Sequence, residues 1–205
     1  MYRLPLHRKE AIILTAVEVI NDLGIQGLST REIAKRQGIS EGTIFKHFRT
    51  KNELMLSILD HYSQYDADII ESIKLKDLRP IEAVNYFINA YAEYYQNYYA
   101  EYYQNYPQIT AITQAYDVLS HDPQLTEKIK GIFMSRYEFL EAMIAEAQKS
   151  GEISRSIDSE KLAGIIWGSF SMACLKWRLS GYGFELRDYI ITTLETILKA
   201  FRLLK

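Results

Sequence analysis

The chain has 205 residues, a formal net charge of −2 and 48% hydrophobic residues. That length can bury a sizeable core, which excludes a small scaffold held together by disulfides, and it fits one domain or a small domain joined to a larger one. Only 4 prolines and 10 glycines interrupt the sequence, so long stretches are free to form helix and we expect a mostly helical fold.

Cysteine content and hydrophobic segments bear on the cellular compartment. The single cysteine, Cys174, cannot form an internal disulfide, which suits a reducing environment. The first residues lack the charged, apolar and small-residue regions of a secretion signal. The most apolar segment, residues 162–175, is too short to cross a bilayer. We therefore expect a cytoplasmic protein with no membrane span.

Charge is divided unevenly along the chain. Residues 1–56 hold nine Lys or Arg and six Asp or Glu, a net charge of +3, whereas the remainder holds fifteen and twenty, a net charge of −5. A basic N-terminal part suits contact with phosphate groups, although a charge of this size needs a supporting motif.

The first thirty residues predict one helix and the beginning of a second. Apolar residues recur at helical spacing over residues 7–23, and Gly24 then offers a left-handed stop. Ser29 and Glu32 have the spacing of a capping box, in which the serine hydroxyl accepts a hydrogen bond from the backbone amide of Glu32. The second helix therefore begins at this box.

A glycine turn then predicts a helix-turn-helix over about residues 29–48. Gly38 can take positive φ and break the second helix, so that a third helix follows it. Ala34 is small enough to let the two helices cross, and we expect Ile39 and Ile44 to be buried between them.

Three segments of this region, residues 28–34, 38–48 and 51–54, closely resemble the signature of the tetracycline-repressor (TetR) family. The match extends over about residues 9–56 and combines a glycine, small residues, two aromatics and a basic residue in fixed order. Phe45 stands where the family commonly has tyrosine, so one hydroxyl that could contact phosphate is lost.

The resemblance implies an all-α fold in two parts. Residues 1–50 would form a three-helix DNA-binding domain with the helix-turn-helix, and residues 51–205 a larger helical domain for effector binding and dimerisation. Capping residues, prolines and glycines predict about nine helices in total. Beyond the first three, we place them at about residues 51–69, from 80, 108–119, 123–149, 159–179 and 184–201.

The third helix would enter the major groove of a double-stranded DNA operator, with Thr43 and Lys46 as the sharper candidates for base contacts. Gly42 would matter through its lack of bulk, and helix N-termini with basic side chains would hold phosphates. The complete predicted DNA-binding set is Thr30, Arg31, Ser40, Gly42, Thr43, Phe45, Lys46, His47 and Lys51. The alternative is a small helical bundle in which the lysines are solvated surface charges.

The last two helices carry more apolar residues than a single-sided surface helix needs. These residues are Ile165, Ile166, Trp167, Phe170, Ile190, Leu194 and Ile197. We therefore expect a homodimer held by a four-helix bundle of the last two helices, with its two recognition helices about 34–36 Å apart.

A perfect tandem repeat interrupts the fifth helix, because residues 91–98 recur unchanged as residues 99–106. Eight helical residues add about 12 Å and rotate the second copy by about 80°, so the two copies cannot present the same face. We interpret the repeat as a recent duplication that extends or bulges the helix. Its tyrosines either line an effector site or pack between helices.

In a regulator of this family, an effector pocket would lie between the helices that begin near residues 80, 123 and 159. An aromatic-rich, charge-poor cavity there would suit a small apolar or aromatic effector, whose binding would release a repressor from DNA. The predicted lining residues are Tyr91, Tyr94, Tyr95, Phe133, Met134, Tyr137, Trp167 and Phe170.

Motifs for catalysis and metal binding do not occur. The four histidines lack metal-ligand spacing, and there is no Gly-rich phosphate loop or nucleophile elbow. We therefore expect no enzyme activity, no metal and no cofactor, and we interpret Cys174 as buried packing. The remaining alternatives are a helical carrier of lipids or drugs that has no operator, and a purely structural dimer.

Overall fold

The computed structural model describes residues 7–97 and 122–202, without the side chains of residues 62, 96 and 97. Those ranges contain eight α-helices and no strand, which confirms the all-α prediction. The helices are α1 (Arg8–Gly27), α2 (Thr30–Gln37), α3 (Glu41–Phe45), α4 (Lys51–Lys74), α5 (Pro80–Asn97), α6 (Pro123–Lys149), α7 (Ser159–Leu179) and α8 (Leu186–Phe201). The helix predicted at 108–119 and the second copy of the tandem repeat lie outside the described residues.

The described residues divide into two compact units. The first unit holds residues 7–64 and 122–130, and the second holds residues 65–97 and 131–202. Because α4 and α6 are continuous helices, each contributes residues to both units. None of the helices in the described part of the chain is long and apolar enough to cross a membrane.

Local signals at the beginning of the chain act as predicted in the first unit. Gly24 takes a φ of +70° and interrupts α1, which resumes for a last turn to Gly27. Ser29 Oγ accepts from the Glu32 amide at 3.2 Å and so caps α2. Arg36 then joins α2 to α1, since its guanidinium donates to Asp22 at 2.7 Å and to Glu32 at 3.1 Å. The hydrogen bond from Arg36 holds the pKa of the Asp22 carboxyl below its usual value.

The second unit is built around α8, which packs against both α5 and α7. Asp158 caps α7, where its carboxylate accepts from the amides of Glu160 and Lys161. Burial of each Leu, Ile or Phe side chain contributes roughly 1.5–3 kcal/mol to the free energy of folding. The buried apolar residues of these three helices include Val84, Phe87, Ile88, Leu162, Ile166, Cys174, Leu186, Ile190, Leu194 and Leu198. Burial raises the pKa of the Cys174 thiol to about 12, so it stays a protonated packing group.

Candidate DNA-binding surface and effector site

The helix-turn-helix is formed by α2, a glycine turn and α3. Gly38 adopts left-handed backbone angles, φ +64° and ψ +33°, which a side chain at Cβ would disfavour. Ala34 is 5% exposed and Ile44 is fully buried, as expected for residues that hold crossing helices together. The expectation that Ile39 is buried is wrong: it is half-buried, because it lies in the turn rather than at the helix crossing.

The short helix α3 carries the residues predicted to contact bases. Ser40 caps it, because its hydroxyl accepts from the Thr43 amide at 3.3 Å and lies 3.0 Å from Thr43 Oγ1. Thr43 is half-buried, whereas Lys46, just past the helix end, is exposed. Phe45 is 51% exposed, so its ring is accessible on the same surface.

Two of the residues predicted to contact phosphate already have partners in the free protein. Thr30 Oγ1 donates to the Glu41 carboxylate at 2.7 Å, and Lys51 Nζ donates to the carbonyl oxygen of Ile25 at 3.2 Å. An ammonium has three donors, so Lys51 can keep this bond and still donate to phosphate. Arg31 is exposed and His47 is half-buried on the same unit. Thr30 would have to exchange its carboxylate partner for phosphate.

In the second unit, five of the predicted effector residues are buried together in an aromatic cluster. Trp167 and Phe170 stack with ring centroids 5.2 Å apart, and Tyr91 meets Trp167 edge-on at 5.5 Å. The ring centroid of Tyr95 lies 5.3 Å from that of Phe170 and 5.8 Å from that of Tyr94. The cluster joins α5 to α7.

A buried ion pair borders this aromatic cluster. Arg136 Nη2 lies 2.9 Å from Asp66 Oδ2, and the two side chains are 7% and 8% exposed. Tyr91 donates its hydroxyl proton to Asp66 Oδ1 at 2.7 Å, and the Arg136 guanidinium lies 5.3 Å from the Tyr91 ring centroid. Burial, reinforced by Asp66, raises the pKa of Tyr91, which therefore stays a donor. The prediction that the effector pocket is poor in charge is therefore wrong, because the ion pair of Asp66 and Arg136 borders the aromatic cluster.

Comparisons with known proteins match both parts of the chain. The family profile described as "Bacterial regulatory proteins, tetR family" matches residues 12–58, and that of the "Tetracyclin repressor-like, C-terminal domain" matches residues 109–192. This chain belongs to the TetR family. Like other members, it is a DNA-binding transcriptional regulator.

Individual relatives of this TetR-family regulator match either most of its length or the DNA-binding region alone. The fatty acid metabolism regulator protein of Bacillus subtilis (strain 168) is 23% identical over 191 residues, 91% of each chain. The class C tetracycline repressor protein of Escherichia coli is 42% identical over 48 residues, 23% of this chain and 22% of that protein. A crystal structure of FadR from B. subtilis in complex with stearoyl-CoA is 22% identical, with a TM-score of 0.76, and the match covers 95% of this chain and 100% of that one.

Three predicted effector residues of this TetR-family regulator lie apart from the aromatic cluster. Phe133 and Met134 on α6 are 47% and 38% exposed. Tyr137 stacks on Phe133 at 5.9 Å and donates its hydroxyl to the carbonyl oxygen of Glu160 at 2.6 Å, where α6 meets α7. Tyr137 thus joins α6 to α7, whereas the aromatic cluster joins α5 to α7.

Sequence reasoning missed Asp66 and Arg136, although each leaves a signal. Asp66 falls on the apolar stripe of α4 that includes Ile69 and Ile73, and Arg136 falls on the stripe of α6 with Leu140. A charged residue at a core position of one helix, together with an opposite charge at a core position of another, indicates a buried pair.

Proposed function

We propose that this TetR-family regulator is a repressor that binds a double-stranded operator as a homodimer and leaves it when a small, largely apolar effector binds. Residues 1–50 are the DNA-binding domain and residues 51–205 the effector-binding and dimerisation domain. The observation that carries the proposal is the helix-turn-helix, in which buried Ile44 supports α3 from behind while Lys46 remains exposed.

Base contacts fall to α3 in this proposal. Thr43 can hydrogen-bond a base or touch a thymine methyl, and Lys46 can donate to guanine O6 or N7. Ser40 fixes the beginning of the helix, and Gly42 leaves room for close approach: a Cβ at Gly42 would meet only Ser40 Oγ, at 3.7 Å. Phe45 offers its exposed ring to the sugar-phosphate edge.

In this proposal, residues at the N-termini of α2 and α4 contact phosphate. Thr30 and Arg31 open α2, and Lys51 opens α4. Helix N-termini carry partial positive charge and free amide donors, which suit a phosphate oxygen. His47 lies between α3 and α4 and can add a further donor.

Of the apolar residues expected at the dimer interface, Ile165 is exposed, but that expectation is wrong for Ile166, Trp167, Phe170, Ile190 and Leu194, which are buried within the second unit itself. The homodimer therefore rests on an exposed apolar stripe along α7. Ile165, Met172 and Leu179 are 43%, 62% and 80% exposed. They follow one another at seven-residue spacing, so they share one helix face, as in helices that pack side by side. Tyr189 on α8 adds 39% exposed aromatic surface. Covering this stripe with a second copy removes it from water and sets two recognition helices about 34–36 Å apart.

The effector site is the aromatic cluster of Tyr91, Tyr94, Tyr95, Trp167 and Phe170. Rings of this kind bind apolar bodies by burial and shape, and few polar groups then fix orientation. Phe133, Met134 and Tyr137 would line its approach along α6. Because a similar protein is named for fatty acid metabolism and a solved relative holds stearoyl-CoA, a long-chain acyl compound is the first effector to test.

The proposal is tested by band-shift titration of the full chain on DNA that flanks its own gene, with and without stearoyl-CoA. We expect a discrete complex that resists excess unrelated DNA and dissociates when the acyl compound is added. The variant Lys46→Gln should bind this DNA no better than unrelated DNA. Binding of apolar ligands without any preferred DNA would overturn the proposal and favour a helical carrier.

A further inference from the structure

Arg136 holds an unused donor in the interior of the second unit. Its side chain is 7% exposed, and Nη2 is engaged by Asp66. Its Nε–H has no hydrogen-bond partner in the described part of the chain. Buried polar groups in folded proteins are paired in the great majority of cases, and an unpaired donor on a charged group is a marked exception that calls for an explanation.

Asp66 does not supply the missing acceptor, because Arg136 Nε has no hydrogen-bond partner among the described residues although Asp66 lies beside the guanidinium. One of its oxygens accepts from the Tyr91 hydroxyl at 2.7 Å and the other faces Arg136 Nη2 at 2.9 Å. The guanidinium is planar and rigid, so the contact at Nη2 and burial of the side chain together restrict the direction of Nε–H. The donor is therefore held in a set direction while its own acceptor is missing.

The same guanidinium borders the aromatic cluster. It lies over the ring of Tyr91, which in turn contacts Trp167 and Phe170 edge-on at 5.5 and 6.4 Å. An oriented donor next to an aromatic wall is the arrangement by which mostly apolar sites fix a ligand that carries one polar group.

The charges already present determine which kind of acceptor can bind Arg136 Nε–H. Arg136 is already neutralised by Asp66, so a ligand carboxylate would add an uncompensated negative charge close to Asp66 in a buried place. A neutral carbonyl oxygen accepts the same hydrogen bond without that cost.

We infer that Arg136 Nε donates to an uncharged carbonyl oxygen of the effector, an ester, thioester or ketone, whose apolar chain lies against Tyr91, Trp167 and Phe170. The inference rests on the proposed effector site of this TetR-family regulator and names the polar group that its ligand carries. The effector is then an acyl compound with an uncharged carbonyl group rather than a hydrocarbon or a free fatty acid.

The test compares three probes of matched chain length: methyl dodecanoate, dodecane and dodecanoate. Binding is followed by tryptophan fluorescence of the full chain. One charge-assisted hydrogen bond contributes about tenfold or more in affinity, so we expect the ester to bind about tenfold tighter than the hydrocarbon and tighter than the carboxylate.

Two variants make the test specific for Arg136. Asp66→Asn leaves the arginine charge uncompensated, and the preference should reverse so that dodecanoate binds tighter than the ester. The double variant Asp66→Asn with Arg136→Gln keeps a neutral polar pair, which avoids an unpaired buried charge, and should bind ester and hydrocarbon equally. Arg155→Gln, at an exposed arginine of the same unit, should behave as wild type.

The outcomes separate the two proposals. Equal binding of ester and hydrocarbon by the wild type, or an unchanged preference in Asp66→Asn, overturns the role of Arg136 while the apolar effector site stands. Binding of none of the three probes overturns the apolar effector site itself, and the inference falls with it.

Discussion

Replacement of Gly38 by alanine tests the turn that orients α3. At φ +64° and ψ +33° an L-residue costs about 1–2 kcal/mol, and alanine recovers about 0.4–1 kcal/mol by restricting the unfolded chain. A Cβ at this position would meet nothing within 4 Å, so no steric clash adds to the cost. The expected net loss is about 1 kcal/mol of unfolding free energy.

The loss is measured by urea unfolding of the full chain, followed by circular dichroism. With a slope of about 2 kcal/mol per molar urea, the midpoint should fall by about half a molar at an unchanged slope. Amide hydrogen exchange should place the weakening in α2 and α3. Gly38→Asn should lose less, because asparagine tolerates the left-handed region better than alanine does.

Gly42→Ala is the matched control on the neighbouring helix. Gly42 lies within α3, and its Cβ would make only an ordinary contact with Ser40 Oγ, so alanine should leave stability unchanged or raise it by up to about 0.5 kcal/mol. Its effect should instead appear in weaker DNA binding. A Gly38→Ala protein as stable as wild type, with α2 and α3 equally protected, would refute the account of the turn.

Three further predictions concern DNA contact, assembly and pH. Lys51→Ala should weaken binding to all DNA sequences and reduce the salt slope by about 1, whereas Thr43→Val should change base preference, as a binding-site selection assay would report. Met172→Lys should convert a dimer to a monomer in sedimentation, because it sets a charge in the middle of the exposed stripe on α7; an unchanged dimer would place the interface elsewhere. Burial lowers the pKa of His61 below its usual 6.5, against an opposing effect of Glu10, so the folded state favours the neutral imidazole. The stability that neutral His61 contributes is therefore complete above about pH 6.5 and is lost as pH falls through the lowered pKa. His61→Gln should reduce the loss of unfolding free energy between about pH 7.5 and 5. An equal pH dependence of stability in the variant and the wild type would contradict this.

Signals that act over a few residues could be predicted from the sequence. Ser29 and Asp158 cap helices because a short polar side chain next to a run of helix formers has backbone amides within reach. Gly24 and Gly38 take positive φ because the helix pattern ends at each of them. The buried faces of the helices followed from apolar spacing in the same way, and together these signals were enough for the fold class.

Features that depend on two distant segments could not be predicted as well. Asp66 and Arg136 lie far apart in the chain, and each alone is compatible with a solvated helix face. The apolar stripes of the two helices indicate that each residue is buried, but only packing shows that the two meet as a pair. Similarly, Ile39 fits a buried apolar pattern, but its exposure depends on how closely the turn approaches the helices behind it. A single sequence does not show whether the buried or the exposed position of such a side chain has the lower free energy.

The most direct test of the central claim is a DNase I footprint of the full chain on DNA flanking its own gene, with Thr43→Ala/Lys46→Gln as the comparison. If α3 selects the operator, the wild type should protect a palindromic site whose half-sites lie one helical turn apart, or a multiple of a turn. The double variant, folded and dimeric, should leave that site unprotected. Equal protection by both proteins would show that α3 does not select the operator.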